Sequence, residues 1–147
     1  MGYGYGVWLV YNNTELPTEH IGHITVACFI EHDEAVKLYN DIIDSVGNIT
    51  DVVLNGEPII FDSGFYEHDT NNLYSWGYSG ECDNWIIYKD ICQNYKCDFS
   101  SKPHLSKKYT FTPEHLQPSE MKNMNLQCTV RCVDISSDSP IEWKIIQ

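Results

Sequence analysis

Two four-residue stretches bring together residue types suited to acid–base chemistry: His23-Ile24-Thr25-Val26 and His104-Leu105-Ser106-Lys107. In each, a histidine stands two positions before a hydroxyl residue. Side chains alternate across a β-strand, so residues i and i+2 share a face. On a strand, each stretch would present one imidazole beside one hydroxyl. The first stretch lies in an apolar run, Ile21 to Ile30, rich in β-branched side chains, which favours a strand over a helix. If the two strands lie beside each other, two imidazoles and two hydroxyls line one cleft. That set suits metal-free phosphoester chemistry. One imidazole removes a proton from the attacking oxygen, the other gives one to the leaving oxygen, and the hydroxyls hold the non-bridging phosphate oxygens. The ordinary imidazole pKa near ~6.5 lets one ring be neutral and the other charged around neutral pH.

These residues need a scaffold, and the composition bounds it. A chain of 147 residues is expected to form one domain, residues 1–147, burying roughly 70% of its unfolded surface. Hydrophobic residues make up 42%, but no apolar run approaches the ~18 residues of a membrane helix. No basic segment followed by an apolar stretch marks a secretory signal, so a cytoplasmic protein is expected. The six cysteines form no Cys-x-x-Cys pair and fit no zinc spacing, and reduced thiols are the expectation. The net charge of −12 argues against binding long nucleic acid through its backbone, while leaving room for a small phosphorylated ligand. Richness in Asn, Asp, Ile and Tyr fits an A/T-rich genome, such as that of a virus or phage, in which case the protein would work in the host cytoplasm.

Along the chain, residues 3 to 11 read as a strand, followed by the strand of the first tetrad at about 21 to 30. A helix is predicted over 33 to 46, with Asp33 as N-cap and Gly47 just past its end. Strands at 49 to 54 and 58 to 61 follow, joined at Asn55-Gly56, a strong hairpin signal. The polar residues 62 to 72 mark a junction between two halves, roughly 1–66 and 67–147. The second half reads as a strand at 73 to 79, a helix at 83 to 95 with Asp83 as N-cap, and the strand of the second tetrad at 104 to 111. A loop at 112 to 123 and two strands, 126 to 135 and 141 to 146, close the chain. Each half thus holds a tetrad strand, a helix and further strands. The fold class is α+β: two small mixed sheets with outer helices, facing each other across a groove.

This layout and the two tetrads resemble the 2H phosphoesterase superfamily, the 2′,5′ RNA ligase-like or cyclic phosphodiesterase family, whose hallmark is one His-apolar-Ser/Thr-apolar motif from each lobe of a pseudo-symmetric fold with mixed or antiparallel sheets and a central cleft. The first copy fits in full. The second departs at its last position, where Lys107 replaces an apolar residue. The resemblance implies His23 and His104 as the general acid–base pair, and Thr25 and Ser106 as phosphate-binding hydroxyls. It also implies hydrolysis of a small nucleotide or short oligonucleotide: a 2′,3′-cyclic phosphate, a 2′–5′ linkage, or a cyclic di- or oligonucleotide second messenger. No cofactor or metal is called for, and a monomer is expected. A nucleotide-sequestering module of the same fold without turnover is the alternative.

Other side chains could serve such a ligand. Lys108, two residues past Ser106, would face the same cleft in a regular strand and could neutralise phosphate charge; Lys107 would point to the opposite face. Tyr3, Tyr5 and Trp76 could stack a base, with Trp8 a further candidate, although aromatic side chains also serve as core. His20 and His23 are spaced as His-x-x-His, but on a strand that spacing does not put both rings on one face.

Overall fold

The structure, a computed structural model, describes residues 4–13, 16, 18–68, 71–137 and 139–147, the side chains of 63–68 and 71–72 excepted. The strands are β1 (Tyr5–Val10), β2 (His23–Ile30), β3 (Ile49–His68), β4 (Asn71–Glu81), β5 (Asp98–Phe99), β6 (His104–Thr110), β7 (Met124–Asp134) and β8 (Lys144–Ile145). Two helices, α1 (His32–Val46) and α2 (Trp85–Cys92), complete the α+β fold. The first helix begins one residue earlier than expected, after Glu31, leaving Asp33 and Glu34 in its first turn, where acidic side chains complement the helix dipole. The second is shorter than expected and follows Asn84 rather than Asp83.

Instead of two sheets facing across a groove, the strands form one antiparallel sheet in the order β1-β2-β6-β4-β3-β7-β8, and a further β1–β7 pairing closes six of them into a ring. Each of these six strands is then paired on both sides, β2 and β6 with each other at Ile24–Leu105, which covers edges that two separate sheets would expose. The two tetrad strands are hydrogen-bonded neighbours, with Ile24 opposite Leu105.

One face of the sheet carries the core. Leu9, Ile24, Val52, Tyr78, Leu105 and Val130 represent six strands in it, and Leu38, Ile42, Trp85 and Tyr88 pack in from the helices. At roughly 25 cal/mol per Å² of apolar surface removed from water, each such side chain contributes ~1.5–3 kcal/mol. A smaller cluster of Trp8, Val133, Ile135 and Trp143 lies on the other face, near β1 and β7.

Residues 49 to 68 run as a single strand with a register shift between Leu54 and Pro58, so Asn55-Gly56 is a bulge rather than a hairpin turn. The reason is a crossing segment. Gly56 accepts a hydrogen bond from the Met121 amide (3.0 Å) and donates its own amide to Asn123 Oδ1 (2.9 Å). A Cβ on Gly56 would sit 1.8 Å from the Met121 carbonyl oxygen, so the glycine serves close approach. Of the predicted junction at 62 to 72, residues 62–68 lie in β3 and 71–72 in β4, which pair with each other, and residues 69–70 lie outside the described residues.

Candidate active site

The site is built by the β2–β6 register. With Ile24 opposite Leu105, antiparallel pairing sets His23 across from Ser106 and Thr25 across from His104. Ile24 and Leu105 are fully buried in the core, so the alternate positions turn to the other face. The two imidazoles occupy one diagonal of this square and the two hydroxyls the other. Diagonal neighbours on paired strands stand roughly 7–8 Å apart, close enough for both rings to reach one phosphate. His23, Thr25, His104 and Ser106 line one pocket of about 200 Å³. That volume is below the ~300–1,000 Å³ of sites that engulf a drug-sized ligand. It suits a phosphate and its near substituents.

Both rings are tethered alike. His23 Nδ1 is 2.7 Å from the Ile21 carbonyl oxygen, and His104 Nδ1 is 3.2 Å from that of Lys102. A carbonyl only accepts, so each Nδ1 carries the hydrogen. In the neutral ring Nε2 is then an open lone pair, the form a general base needs.

Their surroundings differ. The His23 ring lies flat against Trp8, centroids 3.5 Å apart and planes 7° apart, and is 3% exposed. Burial lowers its pKa to about 3; His20 and His104, whenever either is protonated, push it the same way, and the Ile21 carbonyl opposes them. His104 is half-buried at the pocket mouth, with Phe61 edge-on at 4.6 Å. Its pKa is lowered by burial and partly restored by the Lys102 carbonyl.

Two pocket residues that sequence reasoning did not single out, Tyr109 and Phe29, complete the wall, and His20, noted there only for its His-x-x-His spacing, supports it from behind. Tyr109 lines the pocket, hydrogen-bonds to Ser106, and has its hydroxyl pKa pushed up to about 12 by burial. His20, buried behind the site, donates from Nε2 to the Ser106 carbonyl (3.0 Å) and stands edge-on to both His23 and Tyr109. Phe29 lines the pocket at φ 59°, a backbone region that costs an L-residue ~1–2 kcal/mol. Such strain clusters at functional sites. Neither Tyr109 nor Phe29 belongs to a motif; the bulges in β6 and β2 bring them to the pocket.

The bulge in β6 also redistributes the expected ligands. Gly77 pairs with Ser106 but Trp76 pairs with Lys108, leaving Lys107 as an extra residue. A Cβ on Gly77 would meet the Leu105 carbonyl oxygen at 1.7 Å, so this crossing requires glycine. The inserted residue resets the alternation. Tyr109 rather than Lys108 reaches the histidine pocket, and Lys107 and Lys108 both line a neighbouring one. Trp76 is 8% exposed and packs against Tyr78 in the core, away from the pocket. Tyr5 packs edge-on to His32 beside the core and is not part of the pocket wall. Tyr3 lies outside the described residues. Beside the two histidines, the aromatic side chains at the pocket are Phe29, Phe61, Phe99 and Tyr109.

The six cysteines are free thiols. Among the described residues no three His, Cys, Asp or Glu side chains gather in a metal-ligand cluster, and no helix is long and apolar enough to cross a membrane. No protein-family model matches the chain, and no curated protein matches its sequence.

Proposed function

We propose that the protein is a phosphodiesterase acting on a small nucleotide or short oligonucleotide, with His23 and His104 as its acid–base pair and Thr25 and Ser106 as donors to the phosphate. The observation that supports it is the Ile24–Leu105 register, which turns two imidazole–hydroxyl pairs onto one pocket. The likeness of the tetrads to those of 2H phosphoesterases supports the same reading. The candidate linkages are a 2′,3′-cyclic phosphate, a 2′–5′ bond, or a cyclic di- or oligonucleotide.

His23 is the better general base. Burial keeps it neutral, and its Nδ1 tether leaves Nε2 to accept a proton from the attacking oxygen. His104, closer to solvent, takes up a proton more readily and is the better acid for the leaving oxygen. A bound phosphate anion raises both pKa values, opposing the burial that lowers them. Phe29, Phe61 and Phe99 offer apolar surface to a sugar or base at the mouth.

The test is a substrate screen with 2′,3′-cyclic, 2′–5′-linked and cyclic nucleotides, products read by mass, against a His23→Ala/His104→Ala double variant. Turnover that persists in excess chelator and vanishes in the variant is expected. Turnover surviving in the double variant would rule out the two-histidine mechanism. The second reading, a sequestering module, draws on the lowered pKa of both rings, which leaves neither charged at neutral pH before a ligand enters. Its sign is tight binding without a product.

A further inference from the structure

Lys107 and Lys108 line a second pocket, of about 370 Å³, together with His20, Thr18, Glu19 and Ser139. In a chain with 9 Lys and Arg against 21 Asp and Glu, two adjacent lysines at one concave site are a marked local concentration of positive charge. The β6 bulge creates it, since alternation in a regular strand would send the two side chains to opposite faces. The pocket adjoins the first. Tyr109 lines both, and His20, on the wall of the second, is hydrogen-bonded to the carbonyl of Ser106 in the first. Along the strand Lys107 and Lys108 follow Ser106 by one and two residues, or within about 7 Å at the strand rise. That span is comparable to one step along a nucleotide chain.

We propose that the Lys107–Lys108 pocket is a second anion subsite, which takes another phosphate of the ligand whose scissile phosphate sits between His23 and His104. The preferred substrates are then nucleotides with at least two phosphates, linear or cyclic oligonucleotides, rather than nucleoside cyclic monophosphates. This rests on the phosphodiesterase reading and narrows it. His20 acts as a wall, not a charge: burial and the nearby Lys107 lower its pKa and keep it neutral. Burial also lowers the pKa of Lys107, which an incoming anion would reverse. Glu19 is the opposing charge at the rim, and replacing it with glutamine should strengthen anion binding.

The experiment measures calorimetric affinity for a 2′–5′-linked adenosine dinucleotide in bare, 5′-phosphorylated and 3′-phosphorylated forms. One added phosphate should tighten binding about tenfold, the effect of one good charge-assisted contact. In Lys107→Gln/Lys108→Gln that ratio should collapse to near one. Equal affinity for all three forms, or a ratio that survives in the double variant, overturns the subsite while leaving the phosphodiesterase reading standing. A parallel titration with pyrophosphate, read from backbone amide shifts, tests the subsite alone. Shifts at Lys107 and Lys108 support it even if no dinucleotide is turned over, and their absence overturns it.

Discussion

The two tetrad strands use the same device in different settings. In both, an imidazole is pinned by the carbonyl two residues before it, and a hydroxyl follows on the same face. On β2 the ring is pressed against Trp8 and sealed from water; on β6 it stands half-open under Phe61. An identical local pattern therefore yields two groups of unequal proton affinity. The difference comes from what covers each strand, not from the tetrads themselves. Such an inequality would favour one distribution of the proposed roles, since between two pKa values the ring of lower pKa is neutral and the other charged.

The comparison can be broken most severely by removing either ring. His23→Ala and His104→Ala should each lower kcat by on the order of 10²–10⁴, while the double variant loses little beyond the worse single, since the two act as a unit. Steady-state kinetics on the best substrate from the screen would check it; independent, multiplying losses would argue against a pair. Next in size are the hydroxyls. Thr25→Val and Ser106→Ala should each cost about 1.5–3 kcal/mol of transition-state binding, the worth of a hydrogen bond to a charged group, read as a fall in kcat/KM.

The inequality also has a pH signature. His23 has a pKa of about 3 when folded and near ~6.5 when unfolded, so the unfolded chain binds the extra proton between those values. The stability contributed by keeping this ring neutral is fully present above pH ~6.5 and is lost as the pH falls, by about 1.4 kcal/mol per unit. Urea unfolding between pH 4 and 6 should show at least that slope, and His23→Gln should make it shallower, leaving what His20 and His104 contribute. Because the His104 pKa is lowered too, the bell of kcat/KM, which reports the free enzyme, should centre below pH 6.5. The smallest effect is expected from Trp8→Phe. A smaller ring over His23 admits water and should raise that pKa by less than about one unit. An imidazole NMR titration would read it, and no change would mean that burial by Trp8 is not the cause.

The imidazole–hydroxyl pairs were legible in the sequence because alternation on a strand is a local rule. The length of α1 and the hydrophobic parity of Ile24 and Leu105 followed from equally local periodicity. What escaped depended on partners. Nothing near Lys107 marks a bulge, since the glycine that permits it, Gly77, is on another strand. One inserted residue then exchanged Lys108 for Tyr109 in the pocket. Asn55-Gly56 carries the composition of a turn, yet its glycine answers to Met121, far along the chain. Trp76 is fixed in the core by the parity of β4. The β1–β7 pairing that closes the ring joins segments over a hundred residues apart, beyond any local signal.

That ring has a consequence for how the protein would turn over. The strands bearing the two imidazoles are paired at Ile24–Leu105, between the two histidines, so at that point their spacing is near the ~4.8 Å of neighbouring strands. A cleft between separate lobes opens and closes freely; a gap pinned at its centre by a main-chain pairing is held more nearly constant. If the proposed catalysis holds, chemistry rather than hinge motion would limit the cycle, and kcat would then be indifferent to solvent viscosity.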